Sequence, residues 1–180
     1  MNTLSIPFAI VALLVLTLAD LAIAQSQDMP DSMCARAIPE PILNHSIFSD
    51  SKFVLRSPME GIETATLKNG DHITIRNYGC EYYNLDLQFD IVATERSTTH
   101  LGSWYAISAK ELLAIAPGNK APVKFAKIAT ILRRVSRHPV PLHHEIEIEP
   151  GEIRTSITLQ QIKVRKDRAV VMLTIVIGPL

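Results

Sequence analysis

Three tyrosines fall within the six residues Tyr78-Gly79-Cys80-Glu81-Tyr82-Tyr83. Tyrosine rings offer stiff contact area with a polar tip, a composition that suits binding rather than bond making. Cys80 lies in their midst, and the chain has one other cysteine, Cys34. In an oxidising compartment an isolated pair closes a disulfide. Such a staple would lower the entropy that the connection loses on binding. The contact surface expected from sequence is therefore Tyr78, Glu81, Tyr82 and Tyr83, helped by Trp104 with its neighbour Tyr105. The competing reading is that the rings simply cover the sheet edge and the segment carrying Cys34.

Reaction centres are harder to find. There is no Gly-x-Ser-x-Gly elbow, Walker loop, dinucleotide fingerprint, Cys-x-x-Cys pair or His-Glu-x-x-His helix, so no catalytic residue and no cofactor is assigned. The best metal candidates are His138, His143, His144 and Glu145. On a strand His143 and His144 point to opposite faces. His143 and Glu145 share a face, but two surface ligands make a poor metal site. The plain reading is an exposed polar face for His143 and a partly buried His144 bonded to a neighbour, and no metal is expected.

A third feature is charge. Lys120, Lys124, Lys127, Arg133, Arg134 and Arg137 are not interrupted by any acidic residue. Such a stretch can attract anionic lipid, an anionic glycan or an acidic protein. It can equally be a solvated helix face whose last arginines suit the helix dipole. The whole chain has 18 basic and 18 acidic residues, which gives no global reason to expect a nucleic-acid partner.

The address comes from the first residues. Ile6–Ala19 is apolar apart from Thr17, and Ala22-Ile23-Ala24 supplies the small-x-small pattern of a signal-peptide cleavage site. The run is shorter than the roughly 20 residues of a membrane span. A lipid anchor needs a cysteine at the first mature position, which is Gln25. Residues 1–24 are therefore expected to be a signal peptide, and removing them from the 180 leaves 156, enough for one domain with a real core. Membrane contact would follow only from an uncleaved signal segment or from the basic helix Lys120–Arg137. If the host is eukaryotic, Asn44-His45-Ser46 is a glycosylation sequon.

The elements that position these residues are legible in outline. Residues 25–50, with prolines at 30, 39 and 41, read as an extended leader tied down through Cys34. The single domain, residues 51–180, opens on a strand near Lys52–Arg56. Ile62–Lys68 and Asp71–Arg76 flank Asn69-Gly70, which predicts a two-residue hairpin with Lys68 opposite Asp71 and Glu63 opposite Arg76. Leu85, Leu87, Phe89, Ile91 and Ala93 alternate with polar residues, as in a half-buried strand.

Ser108 and Glu111 have capping-box spacing, with Ile107 and Leu112 as the staple, so a helix is predicted to start there and stop at Pro117-Gly118. A second helix starts with Pro122 and buries Phe125, Ile128, Ala129, Leu132 and Val135. Sheet resumes with Leu142, His144, Ile146 and Ile148 on one face. After Pro150-Gly151, Ile153, Thr155, Ile157 and Leu159 repeat the inward face, with Glu147 meeting Arg154. The apolar phase then switches at Gln160-Gln161, which predicts a β-bulge. Ala169–Ile177 reads as a central strand covered on both faces.

Four strands, two helices and three strands define an α+β fold: a mostly antiparallel sheet with both helices on one face. The functional reading is a secreted or periplasmic, non-catalytic binding module for a protein or glycan outside the cytosol. The alternative is a small exported hydrolase or metal-dependent enzyme whose site assembles only in three dimensions.

Overall fold

The structure, a computed structural model, describes residues 34–92 and 100–180. The expected signal segment, its cleavage point and Ala93 lie outside the described residues. The unit Cys34–Leu180 is built on one seven-stranded antiparallel sheet in the order β1-β2-β3-β4-β7-β6-β5. Its strands are β1 (Lys52–Ser57), β2 (Glu60–Thr66), β3 (His72–Tyr78), β4 (Tyr83–Val92), β5 (Glu145–Glu149), β6 (Arg154–Val164) and β7 (Arg168–Gly178). Helices α1 (Leu101–Ile115) and α2 (Phe125–Val135) connect β4 to β5, giving the ββββ-αα-βββ order expected from sequence.

Period-2 patterning decides which face the helices cover. Leu85, Leu87 and Phe89 of β4 and Val171, Leu173 and Ile175 of β7 are fully buried, whereas the residues between them are at best half-buried. Their partners across the core include Trp104, Tyr105, Ala109 and Leu112 of α1 and Phe125, Ile128, Ala129 and Leu132 of α2. Strand β7 is central, between β4 and β6, but closed on one face only. Val170, Met172 and Val176 lie half-buried on the open face, beside cross-strand Asp90, Gln88 and Asn84.

The β2–β3 hairpin corrects the expected register. Leu67 N–H donates to the Asp71 carbonyl (2.7 Å), and Gly70 N–H donates to the Leu67 carbonyl (2.9 Å). Gly70 has φ +83°, so the loop is the three-residue kind, a tight turn closed by a left-handed glycine. The extra residue slips every pair by one: Ile62 faces Arg76, and Glu63 faces Ile75. A one-residue slip exchanges the two faces of a strand, and it carries Glu63 into the core side beside Ala65 and Leu67. Arg76 pairs instead with Glu60 (3.0 Å) and Asp86 (3.6 Å) on the open face.

Helix α1 also departs from expectation. It begins seven residues before Ser108, after an N-cap residue, His100, that makes no side-chain cap. The buried positions Trp104, Tyr105, Ser108, Ala109, Glu111, Leu112 and Ile115 continue one helical stripe. Burying two aromatic rings outweighs a local cap worth about 1 kcal/mol. Helix α2 likewise starts at Phe125 rather than at Pro122, with Val135 half-buried.

At the far edge, Leu142–His144 precede β5 rather than joining it. The turn leaves Glu149 opposite Thr155, and after a one-residue register shift Glu147 faces Ser156. Arg154 therefore meets Glu145 at 3.4 Å instead of Glu147, and Ile153 is exposed (58%) rather than inward. The bulge in β6 lies where the apolar phase changes: Leu159 pairs with Leu173, Gln161 pairs with Met172, and Gln160 is the extra residue. Among the described residues no helix is long and apolar enough to cross a membrane.

Candidate functional site

The leader is bound at several points along its length. Cys34 and Cys80 form a disulfide with Cα atoms 4.9 Å apart, the mark of an oxidising, extracytoplasmic compartment. Two residues on, the Arg36 guanidinium lies 4.1 Å above the Tyr83 ring and donates from Nη2 to Asn77 Oδ1. Asn77 Nδ2 donates to the Glu40 carbonyl at 3.3 Å. Glu63 Oε2 then accepts the backbone N–H groups of Ile42 (2.8 Å) and Leu43 (3.1 Å). On the other side the leader pairs with the loop between the helices: Asn44 N–H donates to Gly118, and Lys120 N–H donates to Ile42, both at 2.7 Å.

Between the leader and that loop is a cleft of about 330 Å³, lined by residues 36–42, Asn77, Tyr83 and residues 120–122. Its surface is largely aliphatic and stiff, from Ile38, Pro39, Pro41, Ile42, Ala121 and Pro122. Arg36 and Lys120 are its cations, and Glu40 is the acid among the lining residues. A smaller hollow beside it, sharing Pro122, runs to Lys124 and Lys127 at the start of α2.

Burial governs the electrostatics here. It pushes the Tyr83 hydroxyl up to about 12, against the opposing pull of Arg36 and of the Asn77 hydrogen bond, so Tyr83 stays neutral. It pulls the Arg36 guanidinium below its ordinary value. It also raises the Glu63 carboxyl, partly offset by the Ile42 and Leu43 N–H groups and by Lys120. Arg36 Nη1 is shut off from water and has no hydrogen-bond acceptor among the described residues.

No protein-family model, curated protein or solved structure matches the chain. Function must therefore be argued from the site alone.

The tyrosine-rich connection does not present one surface. Tyr78, at the end of β3, lies on the open face, where its hydroxyl donates to Asp86 (3.4 Å) beneath the Arg76 guanidinium. Tyr83, at the start of β4, is on the core side and only 9% exposed. Tyr82 is 40% exposed and lies on Gly178, where an added Cβ would meet its Cδ1 at 2.7 Å. Glu81 is exposed, and its carbonyl accepts Leu180 N–H at 2.8 Å. Trp104 is a core residue, 3% exposed, and takes no part in this surface; its spacing on α1 directs it at the sheet. Of the five, only Tyr83 lines the cleft. Sequence reasoning missed Arg36 and Asn77, and named Lys120 only as the first residue of the basic stretch. The one local signal was Arg36 beside a cysteine in a proline-rich segment.

The other polar cluster is at the opposite end of β3. Asp71 accepts Val92 N–H (2.8 Å) and Asn69 Nδ2 (2.6 Å), and Asn69 Nδ2 lies 3.4 Å from Glu111 Oε2. Burial, and then the charge of Asp71, raise the Glu111 carboxyl. Two neighbouring carboxylates can serve as an acid and a base. Both are buried, however, and neither lines the cleft or the smaller hollow beside it. Their geometry ties the hairpin tip to α1. Around the histidines, His143 has φ +64° and bonds to Gln160 at 2.9 Å. Among the described residues no three His, Cys, Asp or Glu side chains are grouped to hold a metal ion.

Proposed function

We propose that the chain is an exported, non-catalytic binding module that takes its ligand in the cleft between the leader and residues 120–122. The observation that carries this reading is that the cleft wall is fastened in advance. The disulfide, the Arg36–Tyr83 stack and the Glu63 clamp hold residues 34–43 against the sheet. A preformed wall avoids most of the ordering entropy that binding would otherwise cost. The volume is at the low end of the roughly 300–1,000 Å³ range of small-ligand pockets.

Export rests on the apolar run ending at Ala22-Ile23-Ala24, and the mature chain then begins at Gln25. N-terminal sequencing of secreted or periplasmic material tests that part. A chain that still starts at Met1 in the membrane fraction would refute it.

Binding is tested by ligand-observed NMR of the disulfide-bonded protein against a chemically diverse fragment library, repeated with Ala121→Trp. Fragments should bind, and the added indole should displace them. No hits, or hits indifferent to Ala121→Trp, would end the reading.

A further inference from the structure

The cleft pairs an aliphatic wall with an uncompensated cation. Arg36 and Lys120 have no ion-pair partner among the described residues. The Arg36 guanidinium spends one nitrogen on Asn77 and one face on Tyr83, and leaves Nη1 without an acceptor among the described residues. A cation left without a counter-ion favours an anion supplied from outside. Carboxylates are among the anions that guanidinium groups bind most strongly.

The charges along the lining decide between anions. With Arg36 and Lys120 against Glu40, the cleft carries one net positive charge, which complements a monoanion better than a dianion. Beyond the charged end, Ile38, Pro39, Pro41 and Pro122 offer no hydrogen-bond donor from a side chain, so the rest of the ligand is apolar. Ile38 is among the exposed large hydrophobic residues of the chain.

We infer that the ligand is an aliphatic monocarboxylate, its head at Arg36 and its chain along the proline-rich wall. This rests on the cleft reading above.

The test is isothermal titration of the disulfide-bonded protein with decanoate, decanol and decyl phosphate, each below its aggregation threshold. Decanoate should bind at least about tenfold more tightly than decanol, the value of one charge-assisted pair, and more tightly than decyl phosphate. Arg36→Gln should abolish the preference for decanoate over decanol. Because Arg36 also braces the leader, Lys120→Gln, an exposed change, is read alongside it and should weaken decanoate alone. Equal binding of decanoate and decanol, tighter binding of decyl phosphate, or an unchanged preference in both variants would overturn the inference. Fragment hits confined to the cleft without decanoate binding would sink this ligand class and spare the cleft. Decanoate binding unaffected by Ala121→Trp would remove the cleft itself.

Discussion

Glu63 Oε2 lies 2.8 Å from the amide nitrogen of Ile42 and holds the leader to the inner face of the sheet. Burial raises this carboxyl above the ordinary glutamate value of 4.5. The folded protein therefore keeps a proton that the unfolded chain has released. The associated stability is fully present below pH 4.5 and is lost as pH rises through the folded value. Glu60 and Glu149, half-buried and lowered by Arg76 and Lys127, run the opposite way and are untouched by a change at 63. Glu63→Gln keeps a carbonyl acceptor and removes the charge. Its melting temperature should exceed wild type at pH 7.5, with the two curves converging below pH 4.5. A variant less stable at neutral pH would contradict this account.

The Cys34–Cys80 bridge closes a separation of 46 residues. The chain-entropy relation, which describes the loss of freedom in the unfolded chain, puts its value at roughly 4 kcal/mol. Replacing both cysteines by alanine should lower the urea midpoint without changing the fold of β3, β4 and β7. Far-ultraviolet circular dichroism and urea titration together check it.

Tyr82 and Tyr83 are adjacent yet should respond differently to truncation. Tyr83→Ala empties a buried site and removes the platform for Arg36, at a cost of about 3 kcal/mol. Tyr82→Ala removes a ring lying on Gly178 at the surface and should cost about 1 kcal/mol or less. Equal losses in paired denaturation curves would mean that the two rings share one environment, contrary to the structure.

Ser108 faces the core from the middle of α1 with a hydroxyl that has no hydrogen-bond partner among the described residues. Ser108→Ala removes a desolvated polar group and inserts a better helix former, so a gain of about 1 kcal/mol is expected. Destabilisation would show that the hydroxyl does have an acceptor in solution.

Gln160 is the extra residue of the β6 bulge. Deleting it leaves Leu159 opposite Leu173 and Gln161 opposite Met172, now in a regular ladder, and keeps Ile162 in register with Val171. The deletion protein should fold with stability within about 1 kcal/mol of wild type, losing mainly the exposed His143 contact. An unfolded product would mean that the bend itself is required.

Local chemistry was enough to specify much of this molecule. Strict alternation in β4, the phase change at Gln160, the helical spacing from Phe125 to Leu132 and the isolated cysteine pair each translate into geometry through steric or covalent rules that need no distant partner. From these alone came the α+β class, the element order, the bulge and the disulfide.

Where long-range burial competes with a local preference, the sequence read alone went astray. Asn69-Gly70 suits either a two- or a three-residue hairpin, and the choice fell to whichever register puts Ala65 and Leu67 in the core. Ser108 and Glu111 look like a cap until Trp104 and Tyr105 are given a sheet to pack against. The cleft was the least legible feature. Arg36, Asn77, Tyr83 and Lys120 belong to four separate segments, and only the docking of the leader onto the inner face brings them around one space. Their proximity is set by the summed burial of Ile42, Leu43 and Phe48 and by the Glu63 clamp, terms that exist only once the sheet has formed.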